Sequence, residues 1–243
     1  MIPEILPAIV LVSLVQSVFG VGMLLLGIPV LLLLGLDFVQ TLWVLLPASL
    51  TINLLQLVKA PGEIDGRFYR RLLLFSLPPI ILSLALVIQI RLNFALLIGT
   101  FLLLLTLKEA LPPFQAAFDR LMQHEKTYFL LTGIVHGSSG LGGLLLTAAI
   151  HHKQYGKDMA RVNAAAGYAA FALIQMATLL ALKPSHIGIS YADCGIGAAT
   201  AGLVFLLVDE MLFIHLDPAS YRQGFTWFLG LSAVFLIIKG VAA

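Results

Sequence analysis

Two glycine-rich runs carry the residues best suited to chemistry: Phe19-Gly20-Val21-Gly22, and His136-Gly137-Ser138-Ser139-Gly140-Leu141-Gly142-Gly143. Each interrupts a long apolar stretch. Glycine inside a helix costs about 1 kcal/mol relative to alanine, so both runs predict helix breaks. Helices restarting near Gly22 and Gly142 would aim unpaired N–H groups and positive dipole ends at the protein interior. Such ends bind anions without a cationic side chain, and Ser17, Ser138 and Ser139 could add hydroxyl donors. The competing role for these glycines is close helix packing through small-xxx-small patterns.

His136 is the ionisable side chain well inside the second of these apolar stretches, and such residues are functional candidates in membranes. It could carry a coupling proton or stabilise an anion when charged, or stay neutral and bond to backbone. Shifting the sequence by 120 residues superposes Gly20 on Gly140, Gly22 on Gly142, Leu24–Leu26 on Leu144–Leu146 and Gln16 on His136. This is an internal repeat with a chemically asymmetric site. Asn53, Gln56, Asn163 and Gln175 are amides in apolar surroundings that need partners. They face the cavity or join helices, and Asn53 and Asn163 complete the candidate set.

Other chemistries find no support. His124-Glu125 is followed by Lys-Thr-Tyr and not by the second histidine of HExxH, and GxSxG and Walker sequences are missing. His151 and His152 diverge by about 100° on a helix and make a poor metal pair. Cys194 is the single cysteine, which excludes an intrachain disulfide. Asp193, Asp209 and Glu210 lie near segment ends, where carboxylates reach water. The sequence therefore predicts no enzyme, no metal and no cofactor. A net charge of +2 gives no reason to expect nucleic acid.

The elements that must position these residues are membrane helices. Hydrophobic residues make up 60% of the 243-residue chain and charged ones 11%, and mean hydropathy is +1.03, far from the roughly 25% charged residues of soluble proteins. Charge-free runs at 5–36, 38–58, 72–90, 92–107, 127–150, 162–182, 194–208 and 223–238 give eight hydrophobic segments in an all-α polytopic protein. The first lacks the basic start of a signal peptide. Read as one helix it would be about 48 Å long against a hydrocarbon core of about 30 Å, so it tilts, protrudes or breaks. The polar link 112–126 divides a first transmembrane repeat, 1–111, from a second, 127–243.

Charge decides between two topologies. With eight simple spans, Lys and Arg divide as nine (59, 67, 70, 71, 108, 120, 126, 183, 239) against five (91, 153, 157, 161, 222). If segments 1 and 5 are re-entrant hairpins, the division is eleven against three, with Arg91, Lys183 and Lys239 outside. The second arrangement fits the positive-inside rule better. It makes the halves inverted repeats, each with three spans. The cluster Lys153, Lys157 and Arg161 then marks the cytoplasmic surface or attracts anions.

Phe19–Leu50 (FGVGMLLLGIPVLLLLGLDFVQTLWVLLPASL) and Thr132–Leu146 (TGIVHGSSGLGGLLL) resemble the repeated glycine-rich element of the TauE/SafE family of sulfite and organosulfonate exporters. Gly20, Gly22, Pro29 and Gly35 match in the first copy, and Gly137, Gly140, Gly142 and Gly143 in the second. The chain departs at Met23, where a third glycine is common, and at Ala149, where a proline would stand. The resemblance implies a secondary transporter of a small sulfur-containing anion in a bacterial inner membrane. Its partners would be that anion, membrane lipid and a coupling proton, and a homo-oligomer is compatible with the sequence. An anion channel using the same half-helix dipoles is the alternative.

Overall fold

The computed structural model describes residues 4–19, 22–59, 62–90, 92–110, 120–183, 188–212 and 218–242. Among them the regular structure is helical. Elements are α1 (Ile5–Phe19), α2 (Met23–Leu33), α3 (Phe38–Lys59), α4 (Gly66–Gln89) and α5 (Phe94–Ala110), then α6 (Glu125–Ser139), α7 (Gly143–His152), α8 (Lys157–Leu182), α9 (Tyr191–Leu212) and α10 (Pro218–Ala242). Much of the link expected at 112–126 lies outside the described residues.

Segments 1 and 5 are each broken at their glycine run. α1 and α6 have 15 residues, α2 has 11 and α7 has 10, so at 1.5 Å per residue each covers only about 15–23 Å, less than a hydrocarbon core of about 30 Å. By contrast α3, α4, α8 and residues 191–208 of α9 are long and apolar enough to cross a membrane. The outward surface fits that role. Leu74, Leu82 and Leu86 of α4 are 65%, 70% and 58% exposed, a leucine face that water would penalise and lipid would not.

α3 is the buried hub, with Leu42, Val44, Leu45, Leu46, Ile52 and Asn53 fully enclosed. It packs on α2, α8 and α9, while α4 packs on α6 and α8, α1 on α9, and α5 on α10. Replacing each helix by the one five places along turns these major pairs into one another: α4–α6 becomes α9–α1, α3–α9 becomes α8–α4, and α3–α8 and α5–α10 map onto themselves.

α4 separates two ends of the bundle. At its start, Asp65 caps the helix by accepting the N–H groups of Arg67 (2.9 Å) and Phe68 (3.0 Å), and Tyr155 O–H donates to its other oxygen at 2.7 Å. On the same end Glu125 lies 2.5 Å from both Arg71 Nη1 and Lys153 Nζ. Because Glu125 starts α6 and Lys153 follows α7, this hairpin enters and leaves at one end. At the other end, Lys239 Nζ donates to Leu32 O at 2.5 Å, and Asn93 Nδ2 donates to Gly240 O at 2.6 Å. Lys239 thereby satisfies a carbonyl in the last turn of α2, where a cation also suits the helix dipole.

Candidate functional site

The two hairpin turns meet around one cavity. Its walls include Gly22, Met23 and Leu24 from the start of α2 and Gly143 and Leu144 from the start of α7, with Gln16, Ser49, His136 and Tyr168 as polar neighbours. The first helical bonds run from Leu26 N–H to Gly22 O (2.8 Å) and from Leu146 N–H to Gly142 O (3.1 Å). The amides of residues 23–25 and 143–145 thus belong to the two first turns, whose donors lack i−4 acceptors; of these, Met23 N–H donates to Gln16 Oε1 and Leu144 N–H to Leu141 O.

Each turn is made by a different device. Gly22 has φ +142°, a conformation that side chains disfavour, and Gln16 Oε1 accepts the Met23 N–H at 2.8 Å across the break. In the second half Gly140, at φ +74°, ends α6 in the left-handed conformation and donates its N–H to His136 O at 2.7 Å. A Cβ on Gly140 would come 2.2 Å from Ile28 Cδ1 of α2, so this glycine also lets the two hairpins approach each other.

The amide and imidazole groups behave unlike one another. Gln16 Nε2 donates to Asn53 Oδ1 at 3.2 Å, and Asn53 Nδ2 donates to Ser49 O at 2.8 Å, so the first half carries a filled polar chain from α1 to α3. His136 is 2% exposed. Among the described residues neither of its ring nitrogens has a hydrogen-bond partner. Its ring lies 4.7 Å from that of Phe171, and Gln175 Nε2 donates to its backbone oxygen at 3.1 Å, leaving Gln175 Oε1 without a partner. A buried polar group left unpaired costs roughly 1–3 kcal/mol, and here three such atoms lie in or beside one cavity wall.

The structure brings Gln16, Gly22, His136 and Gly140 together and puts Asn53 one hydrogen bond behind them. Gly20 lies outside the described residues. Ser17 Oγ donates to Ser13 O, Ser138 Oγ to Val135 O and Ser139 Oγ to Val135 O, at 2.7, 3.2 and 2.7 Å. These hydroxyl donors are directed at carbonyls of their own helices and not at the cavity, because serine in a helix readily bonds one turn back.

Gly137 lies against α4, where a Cβ would meet Ser83 Oγ at 2.1 Å and Ile80 O at 2.4 Å, and Gly133 one turn earlier meets Ser76 O at 2.3 Å. The pair is a close-packing stripe. Gly142 backs onto its own hairpin, 2.5 Å from His136 Cβ by the same construction. Asn163 stands away from the cavity: its Nδ2 donates to Glu63 O and Met159 O, and its Oδ1 accepts the Asp65 N–H. It fastens the 63–65 loop to α8.

Two polar wall residues were not among the sequence candidates. Tyr168 O–H donates to Gly143 O at 2.7 Å and shares a 2.7 Å hydrogen bond with Thr147. A tyrosine within the alanine-rich stretch 164–172 is the signal that points to it, since a buried phenol seeks a partner. Ser49 carries no such signal within Pro47-Ala48-Ser49-Leu50.

The cavity offers 20 Å³ to the centre of a water-sized sphere, against about 10–15 Å³ needed for one water. In this conformation it has room for about one water. Among the described residues no three His, Cys, Asp or Glu side chains cluster in a way that could hold a metal. A family model described as the sulfite exporter TauE/SafE matches residues 5–236. Among curated proteins and solved structures nothing matches.

Proposed function

The chain belongs to the sulfite exporter TauE/SafE family, and from that premise we propose that this multi-pass membrane protein is a secondary carrier for a small sulfur-containing anion in a bacterial inner membrane, held between the starts of α2 and α7. The observation that carries the reading is the convergence of two half-helix N-termini on one cavity. Each end is equivalent to about half a positive charge, so together they balance about one negative charge. A monoanion needs no more.

A dianion leaves about one charge over in a site where an isolated buried charge is prohibitive. His136 would supply the balance by taking up a proton, which couples anion and proton movement. His136 lines the cavity with neither ring nitrogen hydrogen-bonded among the described residues, which supports this role.

Repeats 1–111 and 127–243 are read as inverted. The contact of Arg71 and Lys153 with the same carboxylate of Glu125 supports this, because eight simple spans would put those two cations on opposite faces of the membrane. The exchange of helix pairs between the halves is what a pseudo-twofold axis in the membrane plane produces. A central cavity with room for about one water favours a carrier over a channel, which needs a wet path through the bilayer.

Uptake of radiolabelled sulfite into proteoliposomes, with and without an imposed pH gradient, tests the proposal. Saturable uptake that follows the gradient is expected, and His136→Gln should still bind the hydrogensulfite monoanion, which the two helix ends balance by themselves, but lose the response to the gradient. Absence of both sulfite binding and sulfite movement in the unmodified protein would overturn the reading.

A further inference from the structure

A second, larger cavity lies along the same seam. It measures 210 Å³ and is bounded by Trp43 and Pro47 of α3, Met176 and Leu180 of α8, and Tyr191 and Cys194 of α9. Among the described residues no charged side chain borders it. The register of α8 ties it to the central cavity: Tyr168 and Ala172 line the anion site and Met176 and Leu180 line this one, every fourth residue along a row that winds about 40° per step around the helix. Ala172 and Met176 are about 6 Å apart along the axis. On α3 the two linings adjoin, with Leu46 and Ser49 at the central cavity and Trp43 and Pro47 at this one.

Resting on the carrier reading above, we infer that this pocket is a subsite for the alkyl chain of an organosulfonate whose charged head occupies the central cavity. The surface that lines the pocket is almost wholly apolar, and the Cys194 thiol already donates to Trp43 O at 3.3 Å. Its apolar walls reward hydrocarbon in proportion to the area buried. An apolar cavity of about 150 Å³ holds a benzene molecule, so 210 Å³ accommodates a chain of about six carbons. Tyr191 is 75% exposed and its ring lies 5.8 Å from that of Trp43, which puts an aromatic pair beside the pocket on its exposed side. The anion site sets the charge that is accepted, and the pocket sets the chain length.

The test is displacement of radiolabelled sulfite from the purified protein by methane-, butane-, hexane- and decanesulfonate. Affinity should rise up to about fourfold per added methylene and level off beyond about six carbons, where the pocket is full. Leu180→Trp should flatten this dependence while leaving methanesulfonate binding unchanged. The unmodified chain gives an independent readout, because Cys194 is its single cysteine: hexanesulfonate should slow alkylation of Cys194 by N-ethylmaleimide several-fold and methanesulfonate should not. Equal affinity for all chain lengths, or equal protection of Cys194 by hexanol, would overturn the subsite and leave the anion carrier standing. Failure of both sulfite and methanesulfonate to bind would instead overturn the carrier reading itself.

Discussion

Gln16 and Asn53 are joined side chain to side chain at 3.2 Å, and through this bond the first hairpin is fixed to the buried hub helix α3. The same glutamine accepts the first amide of α2. One residue therefore sets both the turn and its depth in the bundle.

Gln16→Glu tests the charge of the site. The isosteric carboxylate can still accept the Met23 N–H, but it loses the donor to Asn53 Oδ1 and adds a negative charge at the start of α2, beside the proposed anion site. Sulfite uptake should fall at least tenfold, with the elution profile in detergent unchanged. Gln16→Leu should instead lower thermal stability by about 1–3 kcal/mol, the cost of leaving buried partners unsatisfied.

Gly140→Ala meets two penalties. The left-handed conformation costs a side chain about 1–2 kcal/mol, and the added Cβ would stand 2.2 Å from Ile28 Cδ1. Thermal unfolding should show a clear loss of stability. Pairing the change with Ile28→Val removes Cδ1 and should recover the packing part, while the backbone part persists.

Asp65→Ala removes the cap of α4 and should cost about 0.5–2 kcal/mol at neutral pH. Hydrogen bonds from the Phe68 N–H first, and then the Tyr155 hydroxyl, hold the Asp65 carboxyl below its ordinary value of 3.8. A lowered folded-state pKa means that the stabilisation is fully present above the unfolded value and is lost as pH falls through the folded one. The difference in melting temperature between Asp65 and Asp65→Ala proteins should therefore be constant from neutral pH down to about 5 and shrink below about 3.8.

Glu125→Gln weakens the tie that holds the end of α7 to α4. Burial pushes the Glu125 carboxyl up, but hydrogen bonds and charge from Lys153 and Arg71 outweigh it and hold it below 4.5. Ion pairs this exposed contribute about 0–1 kcal/mol each, so the stability change at neutral pH should be small. It should vanish as the wild-type carboxylate protonates. A double-mutant cycle of Glu125→Gln with Lys153→Met, read by melting temperature, should give a coupling below about 1 kcal/mol.

Much of this architecture can be read from residue types alone. Apolar runs of spanning length are determined by composition, since a bilayer core admits little else. The two broken helices follow from glycine content, because Gly20–Gly22 and Gly140–Gly143 weaken a helix wherever they occur. A shift of 120 residues along the sequence pairs Gln16 with His136 before any coordinate is known.

Direction and contact were decided by tertiary structure. Whether Gly137 serves a site or a helix interface depends on what stands beside it, and α4 stands there. Ser17, Ser138 and Ser139 have hydroxyls fit for an anion, but their helical setting turns those hydroxyls onto carbonyls one turn back. Asn163 belongs to the 63–65 loop because α8 starts next to it, a pairing across 98 residues for Asp65 that local sequence cannot encode. Sequence specifies which groups exist and how far apart they lie along a helix. Only the packing of helices against each other selects which of them face the cavity, because that choice depends on rotation about each helix axis, which a nearly all-apolar sequence leaves unmarked.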